Sequence, residues 1–324
     1  MVKAMRMART GGPDVMELVE VEVGAPGAGE AVVRHAACGV NFIDVYFRSG
    51  LYPQSLPGEL GMEGAGVVEA VGPDVTHVKP GDRVAYVGRP NGAYSEARCM
   101  PASLLLRLPD AIGFDTAAAM MMRGLTVQYL FKRCARLARG DTILFHAAAG
   151  GVGLIACQWA RALGLNMIGT VGSAAKAELA KAHGCQHVIN YNEEDFAARV
   201  AQITGGDKVA AVFDSIGQST FSASLDCLRP MGLMVSFGNA SGPVPPFALA
   251  ELQSRGSLFI TRPTLFAYAA KRADLEAMAA DLFEMVGSGQ ITIEVKHRYA
   301  LAEAARAHAE LEARATTGSL ILLP

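Results

Sequence analysis

The residues best suited to chemistry lie in one run, Thr142-Ile-Leu-Phe-His-Ala-Ala-Ala-Gly-Gly-Val-Gly153, which passes directly into Leu-Ile-Ala-Cys-Gln-Trp-Ala-Arg-Ala-Leu-Gly164. The pattern reads as a buried strand, a glycine-rich turn and an amphipathic helix, the unit that grips a dinucleotide pyrophosphate. Gly150 lets the backbone approach the phosphates, and Gly153 lets the helix pack tightly on the strand. The helix N-terminus offers unsatisfied N–H groups and a partial positive charge to the anion. The first glycine of the usual G-x-G-x-x-G spacing is Ala148 here, so the motif is read from its context. Val152, Ile155, Ala156, Trp159 and Leu163 fall on one helical face, as a crossover helix on a sheet requires. The plainer alternative is an ordinary glycine-containing strand-to-helix turn.

The next strand decides between the two nicotinamide dinucleotides. An NAD site carries an acidic residue about 20 positions past the glycines, on the ribose 2′-hydroxyl. Here that stretch is Gly172-Ser173-Ala-Ala-Lys176, which has no carboxylate to repel a 2′-phosphate. Lys176 supplies an ammonium and Ser173 a hydroxyl at a helix start, and Tyr191, past the following strand, adds a second hydroxyl. NADPH is therefore expected over NADH. The plainer reading of Lys176 is a solvated helix lysine.

These residues need a scaffold of alternating strands and helices. Strands are expected at 142–147, 166–171, 187–190, 209–214, 233–237 and 258–261, with helices between them and Ser173 and Asn192 as N-caps. Short apolar strands separated by helices imply a parallel sheet covered on both faces, doubly wound, with its ligand at the carboxyl ends of the strands. The first ~120 residues follow the short rhythm of an irregular β-rich domain. Strands at Gly66-Val-Val-Glu-Ala-Val-Gly72 and Arg83-Val-Ala-Tyr-Val87 flank Lys79-Pro-Gly-Asp82, which fits a type II turn. Helical patterns at 273–286 and 301–315 and a strand at 319–323 are expected to return to the first domain. The division is thus 1–122 with 266–324, and 123–265.

The chain has 324 residues, 51% hydrophobic and 19% charged, enough for two packed cores. A formal charge of −2 and the lack of a basic run give no support for a nucleic-acid partner. No apolar stretch reaches the ~18 residues of a membrane span. The opening Met-Val-Lys-Ala-Met-Arg has no apolar core of a secretory signal. Cys38, Cys99, Cys134, Cys157, Cys185 and Cys227 are scattered, without a C-x-x-C pair, so a reduced cytoplasmic setting is expected.

With these features in place, the chain resembles the medium-chain dehydrogenase/reductase superfamily, and more narrowly its zinc-free, zeta-crystallin-like quinone oxidoreductases. The resemblance runs end to end. It rests on Gly11-Gly-Pro13, Gly39-Val-Asn-Phe-Ile-Asp44, Arg48-Ser-Gly-Leu-Tyr52, Lys79-Pro-Gly-Asp-Arg-Val84, the glycine turn, Gly232-Leu-Met-Val-Ser-Phe-Gly-Asn239, Thr261-Arg-Pro263 and Arg314-Ala-Thr-Thr-Gly318. It implies an α/β fold, a GroES-like β-rich catalytic domain beside a Rossmann domain. Zinc-dependent relatives carry Cys-Gly-x-Cys and Gly-His-Glu; the matching segments here are Cys38-Gly-Val-Asn41 and Gly61-Met62-Glu63. An amide and a thioether do not rebuild a thiolate–imidazole zinc site, so no metal is expected. Glu63 and His146 read as structural groups.

Without a Lewis acid, alcohol oxidation becomes difficult, whereas an electrophilic quinone still accepts a hydride from the nicotinamide. The resemblance offers Asn41, Tyr46, Tyr52 and Arg262 as donors that polarise the acceptor oxygen. The plainer reading of the two tyrosines is that they only shape the pocket. By the same resemblance Phe42, Ile43, Asp44, Tyr46 and Tyr129 lie beside the nicotinamide half, with Asn41 at their head. Gly151 and Val152 sit beneath the pyrophosphate, and Ile216, Phe237, Gly238, Asn239 and Ala240 flank the path to the adenosine. Pro263, Thr264 and Leu265 approach the carboxamide, and Arg314 the phosphates. The resemblance also implies a homodimer joined at the edge of the nucleotide-binding sheet, at Ser257 to Thr261. The expected activity is NADPH-dependent quinone reduction by hydride or single-electron transfer. The alternatives are an NADPH-dependent 2-alkenal or enone reductase, and a non-catalytic, crystallin-like NADPH-binding protein.

Overall fold

A computed structural model describes residues 1–324. It contains two compact units, Met1–Leu125 with Ala270–Ser288 and Ile293–Pro324, and Thr126–Ala269 with Gly289–Thr292.

The first unit opens with eight strands: β1 (Val2–Met7), β2 (Glu17–Val21), β3 (Glu30–Val40), β4 (Gly58–Glu59), β5 (Glu63–Val71), β6 (Arg83–Val87), β7 (Ala97–Pro101) and β8 (Leu106–Arg107). Helix α1 (Phe42–Ser49) follows β3, and α2 (Phe114–Tyr129) follows β8. Between β5 and β6, Gly81 takes φ +90° and the Asp82 N–H donates to Lys79 O at 3.1 Å, the expected type II turn. The interior is apolar, with Val33, Val68, Val84, Tyr86, Met100 and Leu105 among its members.

The second unit alternates as its sequence rhythm predicts. Its strands are β9 (Thr142–Phe145), β10 (Asn166–Val171), β11 (His187–Asn190), β12 (Val209–Asp214), β13 (Leu228–Ser236) and β14 (Phe259–Thr261). They form one sheet in the order β11-β10-β9-β12-β13-β14, and every pair is parallel. Helices α3 (Gly151–Leu163), α4 (Ala174–Ala182), α5 (Phe196–Ile203), α6 (Phe221–Asp226), α7 (Ala250–Ser254) and α8 (Leu265–Tyr268) connect or follow them. Strand order reverses beside β9, so the loops after β9 and β12 flank the switch point where such sheets bind ligands. Leu144, Ile168, Ile189, Val212 and Met234 fill the sheet's interior, which is why these strands read as nearly continuous apolar runs.

The tail comprises α9 (Arg272–Gly287), β15 (Val295–Ala300), α10 (Ala304–Glu312) and β16 (Ser319–Leu323). It completes the first unit's larger sheet, in which the path runs β15-β16-β3-β5-β6-β8 and β7 pairs with β3. No helix is long and apolar enough to cross a membrane.

Three local expectations need correction. Asn192 does not cap a helix; Asp195 does, accepting from the Ala198 N–H at 2.9 Å, while Asn192 Nδ2 donates to Gly172 O. Helix α1 lies where only strands and turns were read, because Asn41 and Asp44 cap it: the Asn41 N–H donates to Asp44 Oδ2 at 2.8 Å. The pattern predicted as a helix from residue 301 begins as a 3-10 turn at Leu301–Glu303 and ends as α-helix at Glu312.

Candidate functional site

In the second unit the predicted cofactor residues fall after the carboxyl ends of consecutive strands. After β9, Ala147 adopts φ +56° and turns the chain, and Gly150 caps α3 in extended geometry. A Cβ on Gly153 would sit 2.4 Å from Ala147 O and 2.6 Å from the Ala148 carbonyl, so only glycine lets the helix approach this turn. The first-turn N–H groups of Gly151 and Val152 lack intrahelical acceptors and offer the anion-binding end of α3.

After β10, the Ser173 hydroxyl caps α4 by accepting from the Lys176 N–H at 3.3 Å. Tyr191, exposed at the end of β11, brings its hydroxyl to 2.5 Å from where a Gly172 side chain would begin. Gly172, Ser173 and Tyr191 thus meet in one corner, with half-buried Lys176 on the first turn of the same helix. After β12, Asp214 Oδ1 accepts from the N–H groups of Ile216 (2.7 Å) and Gly217 (3.0 Å) and fixes that loop. After β13, Gly238 crosses so near Ser215 that a Cβ would lie 2.4 Å from Ser215 O. Phe237 packs on Phe145, ring centroids 5.7 Å apart. Ala240 N–H donates to Ser215 O at 3.1 Å.

Arg262, past β14, was expected to polarise an acceptor. Its Nη1 instead donates to Ser236 Oγ (3.2 Å) and Gly238 O (2.9 Å). The Asn239 amide, oriented to satisfy the network, donates to Gly238 O at 2.8 Å and accepts from Arg262 Nη2 at 3.0 Å. The guanidinium therefore braces the loop carrying Phe237–Ala240. Pro263 and Thr264 lead into α8, where Leu265 is buried. Tyr129 stacks on Tyr268 at 4.8 Å and 11°, and burial pushes its phenol far up, so it stays protonated.

His146 is structural, as expected. It is buried between Thr170 Oγ1 and Ser224 Oγ, both at 2.9 Å, and burial lowers its pKa. Ser224 in turn donates to Asp214 at 3.2 Å.

In the first unit the Asn41 amide Nδ2 donates to Glu63 Oε2 at 2.6 Å. Glu63 is fully buried, accepts from the Met122 N–H at 2.9 Å and lies 3.9 Å from Arg123 Nη1. Burial raises its pKa, and Arg123 and Asn41 oppose the rise. Gly39 makes room for it, since a Cβ there would meet Glu63 Oε2 at 2.3 Å. Tyr46 and Tyr52 pack together, ring centroids 5.1 Å apart, with Phe42 5.9 Å from Tyr46. Ile43 is half-buried on the same helix turn.

Asp44 was expected among the residues touching the cofactor, but it has no exposed surface. Its Oδ2 caps α1 and accepts from Tyr94 Oη at 3.0 Å. That hydroxyl lies 3.0 Å from His308 Nε2, and His308 Nδ1 lies 3.4 Å from Arg48 Nη1. Arg48 only donates, so Nδ1 accepts and the Nε2 proton points at Tyr94. Burial, then Arg48, lowers His308 to about 3, which keeps the ring neutral. Arg48 also pairs with Glu312 at 2.8 Å. Arg314 is exposed, with φ +57° at the end of α10.

Comparison with known proteins supplies the family. Residues 27–110 match the alcohol dehydrogenase GroES-like domain, and residues 151–283 match the zinc-binding dehydrogenase family. A quinone oxidoreductase of Pseudomonas aeruginosa is 55% identical over 325 residues, covering all of both chains. The chain belongs to the quinone oxidoreductase family. A crystal structure of Escherichia coli quinone oxidoreductase complexed with NADPH is 49% identical, with a TM-score of 0.98 over 99% of this chain and 100% of that one. A 2-haloacrylate reductase of Burkholderia sp. is 45% identical over 331 residues, covering 100% of this chain and 99% of its own.

The zinc in the second matching description does not fit this member of the quinone oxidoreductase family. Asn41 commits its amide to Glu63, and Met62 is a fully buried thioether. Burial pushes the Cys38 thiol up to about 12, so a thiolate there is strongly disfavoured. No three histidine, cysteine or acidic side chains gather closely enough to hold a metal ion.

What sequence reasoning missed is the Asp44–Tyr94–His308–Arg48 chain, whose members come from distant parts of the sequence. The local signal was the Asn41-x-x-Asp44 spacing, which is a capping pattern.

Proposed function

We propose that this chain reduces quinones with NADPH, by hydride or single-electron transfer and without zinc. The second unit serves as the NADPH-binding domain and the first, with the tail, as the catalytic domain, close to the division 1–122 with 266–324 against 123–265. When bound, NADPH supplies the reducing equivalents. The first turn of α3, through Gly150, Gly151 and Val152, takes the pyrophosphate. Gly172, Ser173, Lys176 and Tyr191 take the 2′-phosphate. Ile216 and Phe237–Ala240 border the cofactor, with Arg262 bracing that loop and Tyr129 and Pro263–Leu265 toward the nicotinamide. Arg314 is assigned to the phosphates.

Asn41, Tyr46 and Tyr52 are the donors assigned to the acceptor oxygen, with Phe42 and Ile43 walling the pocket. The observation that carries this reading is Asn41, an amide fixed on a buried carboxylate where a zinc enzyme needs a thiolate. An acceptor bound there must be electrophilic by itself, and a quinone is. The relatives named as quinone oxidoreductases support the same substrate class.

A second reading is favoured by the 2-haloacrylate reductase, whose substrate name denotes an activated alkene. Steady-state kcat/KM with NADPH for 1,4-benzoquinone, 9,10-phenanthrenequinone and a short enone separates the two. Quinones are expected to lead by at least about tenfold, the effect of ~1.4 kcal/mol in barrier. A leading enone assigns the alkene activity, and binding without turnover of any acceptor assigns the non-catalytic role. A radical signal during quinone turnover marks one-electron transfer.

We further propose a homodimer joined along β14, the free edge of its sheet, where Phe259 is 61% exposed. Light scattering of Phe259→Lys should report monomers. The six free cysteines suit a cytoplasmic setting, which cell fractionation checks.

A further inference from the structure

Strands β10 and β11 keep their parallel register as far as Val171 and Asn190. One more backbone bond follows, from the Tyr191 N–H to Val171 O at 3.1 Å. The main chain then turns back, and the N–H groups of Glu193 and Glu194 both donate to Asn190 O at 3.0 Å. The next tie between the two strand ends is made by a side chain. Asn192 Nδ2 donates to Gly172 O at 2.9 Å. A carbonyl only accepts, so the amide nitrogen is the atom that faces Gly172. The Asn192 N–H donates to Asn190 Oδ1 at 3.3 Å, which holds the turn.

Tyr191 and Asn192 thus meet the same glycine. A Cβ on Gly172 would stand 2.5 Å from Tyr191 Oη and 3.6 Å from Asn192 Nδ2. Ser173 caps α4 and Lys176 lies in its first turn. Asn192 therefore links the loop that carries the Tyr191 hydroxyl to the one that carries Ser173 and Lys176. It is exposed, as are both residues beside it. A hydrogen bond so open to water adds little to global stability, yet it fixes the spacing of the two loops.

Position 192 also separates this corner from an acidic run, Glu193-Glu-Asp195. Glu194 pairs with Arg199 at 3.2 Å, and Asp195 accepts from the Ala198 N–H at 2.9 Å. Two of the three carboxylates are thereby turned to α5, and the link itself is a neutral amide.

We propose that Asn192 is a positioning residue that selects NADPH over NADH. It holds the Tyr191 and Ser173 loops at the spacing that a ribose 2′-phosphate requires. The inference rests on the assignment of this corner to the 2′-phosphate. NADH carries no group there, so its binding does not depend on the tie.

The test is calorimetric binding of NADPH, NADH, adenosine 2′,5′-bisphosphate and 5′-AMP to the full chain, without turnover. Asn192→Ala should weaken NADPH and the bisphosphate by about three- to tenfold, the range expected for one hydrogen bond. NADH and 5′-AMP should stay within about twofold of the parent. Asn192→Asp loses the same donor and adds a like charge beside the phosphate, so its NADPH loss should be larger by at least about threefold. Both variants should keep the parent's thermal midpoint within about 2 °C. Lys176→Ala is the reference for the corner. If it weakens NADPH while neither Asn192 variant does, the inference is overturned and the corner assignment stands. Equal weakening of NADPH and NADH by the Asn192 variants also overturns it, since that marks a general loss of loop order. If Lys176→Ala binds NADPH as the parent does, the 2′-phosphate lies elsewhere and both fall.

Discussion

The Asn41 side chain donates to Glu63 at 2.6 Å; Glu63 is fully buried, and Asn41 keeps only a small exposed face. A hydrogen bond to a buried carboxylate is stronger than one between neutral groups, so it fixes the amide's direction. Glu63→Gln keeps the shape of the partner and removes its charge. The expected result is a fall of about tenfold in kcat/KM for quinone, from loss of a charge-assisted bond worth ~1.5–3 kcal/mol that is partly replaced. An unchanged kcat/KM would contradict a role for Asn41 at the acceptor.

Gly150 and Gly153 stand three residues apart and should fail differently. A Cβ on Gly153 meets unyielding backbone at 2.4 Å, whereas one on Gly150 has its nearest neighbour at 3.2 Å. Gly153→Ala should cost about 1–3 kcal/mol of stability, a drop of several degrees in Tm. Gly150→Ala should leave Tm nearly unchanged and raise the NADPH KM. Equal changes in Tm for the two variants would refute this division.

Lys176→Ala tests the ribose-phosphate corner. The NADPH KM should rise at least about tenfold, as loss of one charge-assisted contact predicts, while the NADH KM changes little. A matched rise for both cofactors would remove Lys176 from the 2′-phosphate site.

Asp44 makes stability depend on pH. Burial, with help from Glu63, raises its carboxyl to about 7 from an ordinary value of 3.8, against the opposing bonds from Asn41 and Tyr94 and the charge of Arg123. The folded chain therefore binds this proton more tightly than the unfolded chain. Its contribution is fully present below 3.8, declines as pH rises, and is gone above about 7. Urea unfolding at pH 5 and pH 8 should show the parent losing more stability than Asp44→Asn. Parallel losses would show that Asp44 does not titrate in this window.

Much of this molecule is readable from local patterns. The strands of the second sheet are short apolar runs buried on both faces, and their bounds shift by only a few residues, as at β9, which ends at Phe145. The corner of Gly172, Ser173 and Tyr191 is legible because parallel strands deliver their next residues to one edge. The first unit is harder. Helix α1 spans only eight residues and holds three aromatic residues, so its cap, not its periodicity, decides it. The contact of Arg48 with His308 joins positions 260 residues apart, and no spacing rule reaches that far. Arg262 follows β14, and its hydrogen bonds to Ser236 and Gly238, which join it to the neighbouring loop, are not announced by any spacing in the sequence.

The position of β16 has a consequence for biosynthesis. It lies between β15 and β3, whereas all six strands of the second sheet are complete by Thr261. During synthesis every strand of the second sheet is made before β16, so that sheet can form while the larger sheet of the first unit still lacks a member. Until β16 is made and pairs, the flank of β3 stays open to foreign strands, which makes this interval the one in which chaperone protection matters most.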